Sequence, residues 1–114
     1  MKNEIEISVV MPCLNEEKSV GECVRNALNA IKKMGLKGEV VVVDNGSKDN
    51  SVNVAKKAGA NVITQQKKGY GNAVRKGLAS ARGEFIIIGD SDGQHDFNEI
   101  KNFYTKLKEG FDLL

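Results

Sequence analysis

Phe85-Ile86-Ile87-Ile88-Gly89-Asp90-Ser91-Asp92-Gly93-Gln94-His95-Asp96 is the stretch on which the reading of this chain turns. Its first four residues form an unbroken apolar run, the pattern of a short strand buried on both faces. Gly89 ends the run, and two carboxylates, Asp90 and Asp92, follow with one residue between them. Gly93 then lets backbone approach a ligand closely. Acids at the end of a buried strand are costly unless positive charge sits beside them. A divalent cation holding a phosphorylated ligand supplies that charge, since hard cations take carboxylate oxygens. The segment therefore reads as the mouth of a nucleotide site, with the rest of the chain as its scaffold.

Upstream, the same pattern recurs. Ile7 to Met11 reads as a first strand, stopped by Pro12, which has no N–H for a ladder. Ser19 with Glu22 reads as a capping box. Behind it, Val20, Cys23, Val24, Ala27, Leu28, Ile31 and Met34 recur at helical steps, closed by Gly35 and Gly38. Val40 to Val43 is a second buried strand, followed by the turn Asp44-Asn45-Gly46-Ser47. Ser51 is placed to cap a short helix that Gly59 stops, and Asn61 to Thr64 is a weaker third strand. The next helix starts at Tyr70 or Asn72, carries Ala73, Val74, Gly77, Leu78 and Ala81 on one face, and ends at Gly83. After the opening stretch, Asp96 and Glu99 cap a last helix with the stripe Ile100, Phe103, Tyr104 and Leu107. Phe111 to Leu114 reads as the start of a fifth strand, so the chain is expected to be a piece of something longer.

Continuous apolar strands alternating with amphipathic helices predict an α/β fold, a mostly parallel sheet with helices on both faces and right-handed crossovers. At 114 residues the chain has the length of one domain. Its 40% hydrophobic and 28% charged content match a soluble globular protein. A net charge of +2 is too small to argue for nucleic acid as a partner. Lys67, Lys68, Arg75, Lys76 and Arg82 cluster locally, as a solvated helix face or as a phosphate attractor. Two cysteines, Cys13 and Cys23, make no disulfide framework and fit packed thiols in a reducing, cytoplasmic setting. One histidine and no C-x-x-C exclude a structural zinc site, and no apolar run reaches membrane-span length.

In an open α/β sheet, ligands bind beyond the carboxyl ends of the strands. Those ends fall at Pro12 to Glu16, Asp44 to Ser47, Gln65 to Gly71 and Asp90 to Gln94, all polar or glycine-rich. Gly69-Tyr70-Gly71 is a poor dinucleotide fingerprint, because Val74 occupies its third small position. A P-loop is absent, and a Ser-His-acid triad is not supported, because His95 is the only histidine and no serine sits at a nucleophile elbow.

Val9 to Glu16, Val41 to Ser47, Gly69 to Gly83 and Asp90 to Asp96 together resemble the family 2 glycosyltransferases, closest to the polyprenyl-phosphate (dolichol-phosphate) mannosyl- and glucosyltransferase group. The resemblance covers essentially the whole chain. A lone D-x-D is weak, whereas four motifs in order, each at a predicted strand end, are specific together. The resemblance implies a GT-A fold with a Rossmann-like nucleotide-binding half, residues 1–114 being that half. It implies a nucleotide-diphosphate-sugar donor and a divalent metal, Mg2+ or Mn2+. By the same resemblance, Pro12, Leu14, Asn15 and Glu16 hold base and ribose, and Asp44 contacts the base. Asn45 stands where the family often has a second acid, hydrogen-bonding without charge. Asp90 with Ser91 lies near the ribose, Asp92 and Gln94 hold the metal, and Arg75 helps hold the donor. The acceptor-deprotonating acid would lie beyond Leu114, so no residue here takes that role.

The implied acceptor is a polyprenyl phosphate, and the implied location is the cytoplasm or the cytoplasmic membrane face, with the membrane surface a partner of the parent protein. Blander readings stand beside these. Asp44 with Asn45-Gly46 also fits a plain turn, Glu16 a surface acid, Asp92 a loop carboxylate without metal. Asp96 fits a helix cap better than a ligand, and His95 a loop residue better than a base. The alternative for the whole chain is a noncatalytic nucleotide-binding module or structural α/β fragment, whose exposed fifth-strand edge would pair with another copy in a homodimer.

Overall fold

The structure, a computed structural model, describes residues 4–91 and 97–109. Strands β1 (Ile7–Cys13), β2 (Gly38–Asp44), β3 (Asn61–Thr64) and β4 (Phe85–Ile88) alternate with helices α1 (Val20–Lys33), α2 (Ser51–Ala58), α3 (Tyr70–Ser80) and α4 (Phe97–Lys108). The strands form one sheet in the order β3-β2-β1-β4, every neighbouring pair parallel.

Side chains alternate across the sheet, as the two-residue period of a strand requires. Ile7, Val9 and Met11 of β1, Val40 and Val42 of β2, and Ile87 of β4 face a core shared with α1, α2 and α4. Val10, Val41 and Val43 face the other way, toward Ala73 of α3. The chain moves outward from β1 to β3 through α1 and α2, then crosses back through α3 to β4 on the far side of β1. Reversing direction while keeping one crossover hand puts α3 on the opposite face.

The apolar stripe of α1 is buried as its spacing predicts, and α2 stops at Gly59, whose φ of 111° is in the left-handed region. Several boundaries differ from expectation. Pro12 does not stop β1; it lies within the strand, opposite Val43. Its carbonyl points toward β4, whose ladder ends at the Val10–Ile88 pair, so the missing N–H removes no strand bond. Gly38 is the first residue of β2 rather than part of the α1 stop, packed where a Cβ would strike Ile31 and Ile7. Ser19 is the N-cap of α1 but forms no capping bond, because its hydroxyl is engaged elsewhere. Asn50, not Ser51, is the N-cap of α2.

Helix α3 begins at Tyr70 and ends at Ser80, short of Gly83. Its buried residues are Ala73 and Gly77, while Leu78 is exposed. A Cβ on Gly77 would collide with Val10 and press on Val43, so the helix lies too close to the sheet for a wider stripe. In α4, Ile100 is buried, and Phe103, Tyr104 and Leu107 pack against the α1-side core as expected. The expected Asp96 cap and the fifth strand at Phe111 to Leu114 lie outside the described residues.

Candidate functional site

The carboxyl ends of the strands surround a cleft of about 310 Å³, lined by Pro12, Cys13, Leu14, Glu16, Asn45, Lys68, Gly69, Tyr70, Ala73 and Ser91. It lies where the strand order reverses, between the loops leaving β1 and β4, the place where open α/β sheets bind ligands. Of the residues singled out in the sequence, Pro12, Leu14, Glu16, Asn45 and Ser91 line it directly. Asn15 and Asp44 do not line it, but hydrogen-bond the loops around it. Arg75 is exposed on α3 and does not line it. Asp90 is exposed just after β4, and Asp92 and Gln94 lie outside the described residues.

The loop after β1 is held by the loop after β2. Asn15 has a φ of 55°, a left-handed conformation that asparagine tolerates better than most residues. Its backbone N–H donates to Ser47 Oγ at 2.8 Å, and its Oδ1 accepts the Lys48 N–H at 2.8 Å. The Glu16 N–H donates to Ser51 Oγ at 2.8 Å, and the Glu17 N–H to Asp49 at 3.2 Å. Hydrogen bonding from Ser51 holds the Asp49 carboxyl below its ordinary range.

Asp44 is buried at the end of β2. Its Oδ2 accepts the N–H groups of Gly46 (3.1 Å) and Ser47 (2.9 Å), and its Oδ1 accepts the Ser47 hydroxyl at 2.5 Å. This is an Asx turn formed by Asp44, with Gly46 in a positive-φ conformation (102°) within it. Asn45, 8% exposed, reaches the next loop: Nδ2 donates to the carbonyls of Gln65 (2.8 Å) and Lys67 (3.1 Å), and Oδ1 accepts the Gly69 N–H at 3.0 Å.

Ser91 joins the mouth to the body. Its hydroxyl donates to the Pro12 carbonyl at 2.9 Å, and its own carbonyl accepts the Ser19 hydroxyl at 2.6 Å. The residue between the two aspartates is thereby fixed to β1 and to the start of α1. Burial pushes the Cys13 thiol up from its ordinary 9.0; a Ser51 hydrogen bond opposes this and the nearby Asp44 charge adds to it. Cys13 is thus a neutral thiol at pH 7, unsuited to nucleophilic attack. Among the described residues no group of three or more His, Cys, Asp or Glu side chains is placed to hold a metal.

Sequence reasoning placed Lys68 and Tyr70 in the strand-end loop Gln65 to Gly71 without naming either as a site residue, and it missed Ser19. Ser19 was legible only as a cap, and Tyr70, 63% exposed, only as a loop residue or helix start. Nothing local says that Tyr70 lines a cleft built by loops far apart in sequence, or that Ser19 holds the Ser91 carbonyl behind it.

Residues 8–114 match the family model described as Glycosyl transferase family 2. The chain belongs to glycosyl transferase family 2. Among similar members, an undecaprenyl-phosphate 4-deoxy-4-formamido-L-arabinose transferase of Shewanella sediminis is 37% identical, over 93% of this chain and 34% of that protein. The low-salt glycan biosynthesis hexosyltransferase Agl6 of Haloferax volcanii is 38% identical, over 91% of this chain and 25% of its own length. This chain therefore spans about a third or less of those two relatives. A solved structure of glucosyl-3-phosphoglycerate synthase from Mycobacterium tuberculosis, in complex with Mn2+, uridine diphosphate and phosphoglyceric acid, superposes with a TM-score of 0.73 at 28% identity, over 90% of this chain and 39% of that one. The same enzyme with Mg2+ and uridine diphosphate gives a TM-score of 0.76. The α/β architecture is thus the Rossmann-like GT-A arrangement of family 2. No described helix is long and apolar enough to cross a membrane.

Proposed function

We propose that this chain is the donor-binding half of a metal-dependent glycosyltransferase, which grips a nucleoside-diphosphate sugar and transfers the sugar to an acceptor. One observation carries this reading: the loops after all the strands converge on a single cleft at the β1/β4 switch point, with Ser91 clamped at its rim between Asp90 and Asp92. In this reading Pro12, Leu14, Asn15 and Glu16 position base and ribose, Asp44 holds the base-side turn, and Asp90 lies toward the ribose. Arg75, exposed on α3, acts at most through long-range charge.

The residues fit a divalent cation. Ser91 is tied to Pro12 and Ser19, and the side chains that the sequence offers beside it, Asp90, Asp92 and Gln94, carry hard oxygens suited to Mg2+ or Mn2+. Asp92 and Gln94 would hold the ion together with diphosphate oxygens. Such an ion supplies charge stabilisation to the departing diphosphate. The chain's own contribution is to hold the nucleotide against clamped loops, so that binding geometry is set before reaction.

A polyprenyl-phosphate acceptor is favoured by the relative named as an undecaprenyl-phosphate 4-deoxy-4-formamido-L-arabinose transferase, and with such an acceptor the parent protein would work at the cytoplasmic membrane face. Calorimetric titration with UDP and with GDP, each with manganese and then with chelator, tests the donor site. One of the two nucleotides should bind with manganese at least about tenfold more tightly, a difference of about 1.4 kcal/mol. Asp92→Ala should abolish the manganese effect. Equal affinity in manganese and in chelator would instead favour a noncatalytic module.

A further inference from the structure

We propose that Asn45 is a positioning residue, whose carboxamide holds the β3–α3 loop in the shape that forms one wall of the cleft. Both of its amide hydrogens are used, on the Gln65 and Lys67 carbonyls, while its Oδ1 takes the Gly69 N–H. Its own backbone N–H donates to the Cys13 carbonyl at 2.9 Å, so the residue joins the loops after β1, β2 and β3. Two acceptors and one donor facing a single side chain are matched by a neutral amide and by no carboxylate. An aspartate here would aim negative oxygens at two carbonyls, in a place almost closed to water.

The loop it holds needs holding. Gly69 has φ 124° and ψ 143°, open in practice to glycine alone, and the residues from Lys67 to Tyr70 are exposed. Gly69 is also the N-cap of α3 and forms no side-chain capping bond there. The Asn45 amide therefore fixes where α3 begins and where Lys68 and Tyr70 sit on the cleft wall. The identity of residue 45 thus decides how this loop is built, and loop order is its route to nucleotide affinity. The affinity clause rests on the donor-site reading above; the loop clause does not.

The test uses this chain, wild type and Asn45→Asp, with Asn53→Asp, at an exposed position of α2, as a control for added charge. Amide NMR and hydrogen exchange are measured without ligand. In the wild type, the Gly69 N–H should be protected from exchange and the two Asn45 side-chain protons should give separate, shifted resonances. In Asn45→Asp, Gly69 protection should fall by about tenfold or more, while Val42 in the core keeps its own. Affinity with manganese for whichever of UDP and GDP the wild type binds should fall as well, by about tenfold, and be unchanged in Asn53→Asp.

An unprotected Gly69 N–H in the wild type overturns the proposal even if the variant fails to fold. So does Asn45→Asp with an unchanged Gly69 resonance. Should neither nucleotide bind the wild type, the donor-site reading fails, and the loop measurement still decides the role of Asn45.

Discussion

Asp44 and Asn45 are neighbours that do opposite jobs with nearly the same side-chain shape. Asp44 faces three donors from one turn, the N–H groups of Gly46 and Ser47 and the Ser47 hydroxyl. Asn45 faces two carbonyls and one N–H. The acid-then-amide order is thus set by what surrounds each position. Asp44→Asn should be mild, about 1 kcal/mol, because one amide oxygen can still take the two N–H groups while the hydroxyl loses its acceptor. Asp44→Ala leaves all three donors without their acceptor, at a turn where Gly46 is exposed and Ser47 half-buried, and should cost more, about 1.5–3 kcal/mol. Urea midpoints at constant slope measure both. Equal losses would show that the turn is held by something other than the carboxylate.

Helix α3 shows how one element can defy its own pattern. Its sequence carries Val74 and Leu78 at helical spacing, yet the buried contacts are made by the smallest residues, Ala73 and Gly77. Gly77 allows helix backbone to approach Val10 and Val43 directly. Gly77→Ala gains up to about 1 kcal/mol of helix propensity. It also forces a methyl against a branched strand residue that has few rotamers, an overpacking cost of about 1–3 kcal/mol. The second effect is expected to win, lowering the midpoint of thermal unfolding. Gly71→Ala on the same helix meets nothing within 4 Å and should be neutral or stabilise by about 0.5 kcal/mol.

Across the whole molecule, the two ends of the sheet are specialised. The carboxyl ends carry the cleft. The opposite end is closed by Glu39, 6% exposed, which no motif pointed to. Its carboxylate accepts from the Ser8 hydroxyl (2.7 Å), the Arg82 N–H (2.7 Å), the Arg82 guanidinium (3.3 Å) and the Asn61 amide (3.2 Å). It thereby links β1, β2, β3 and the α3–β4 connection. Burial alone would raise its pKa, but the hydrogen bonds from Arg82 and Ser8 outweigh burial and hold it below the ordinary 4.5. A carboxyl lowered in the folded state adds stability above its unfolded value and loses it as the pH falls through the folded one. Unfolding free energy should therefore drop below pH 4.5. Glu39→Gln should cost about 1.5–3 kcal/mol at pH 7 and flatten that acid limb, with manganese-dependent nucleotide binding retained. The guanidinium is 62% exposed, so Arg82→Ala, which keeps the N–H, should cost less, about 0–1 kcal/mol.

The sequence by itself determined the strands, the helices, the parallel α/β class and the loops where a ligand would sit, because apolar periodicity and strand-end chemistry are local signals. The motifs Val9 to Glu16, Val41 to Ser47 and Asp90 to Asp96 also carried the family. Only the tertiary structure decided what Pro12, Ser19, Asn45 and Glu39 do. Pro12 stays in its strand because β4 ends before reaching it. Ser19 gives up its cap to hold Ser91, 72 residues away. Asn45 and Glu39 are defined by partners on other elements. A side chain's local options are written in its own residue type, but which donor or acceptor it meets depends on how distant segments pack, and that is absent from any short stretch of chain.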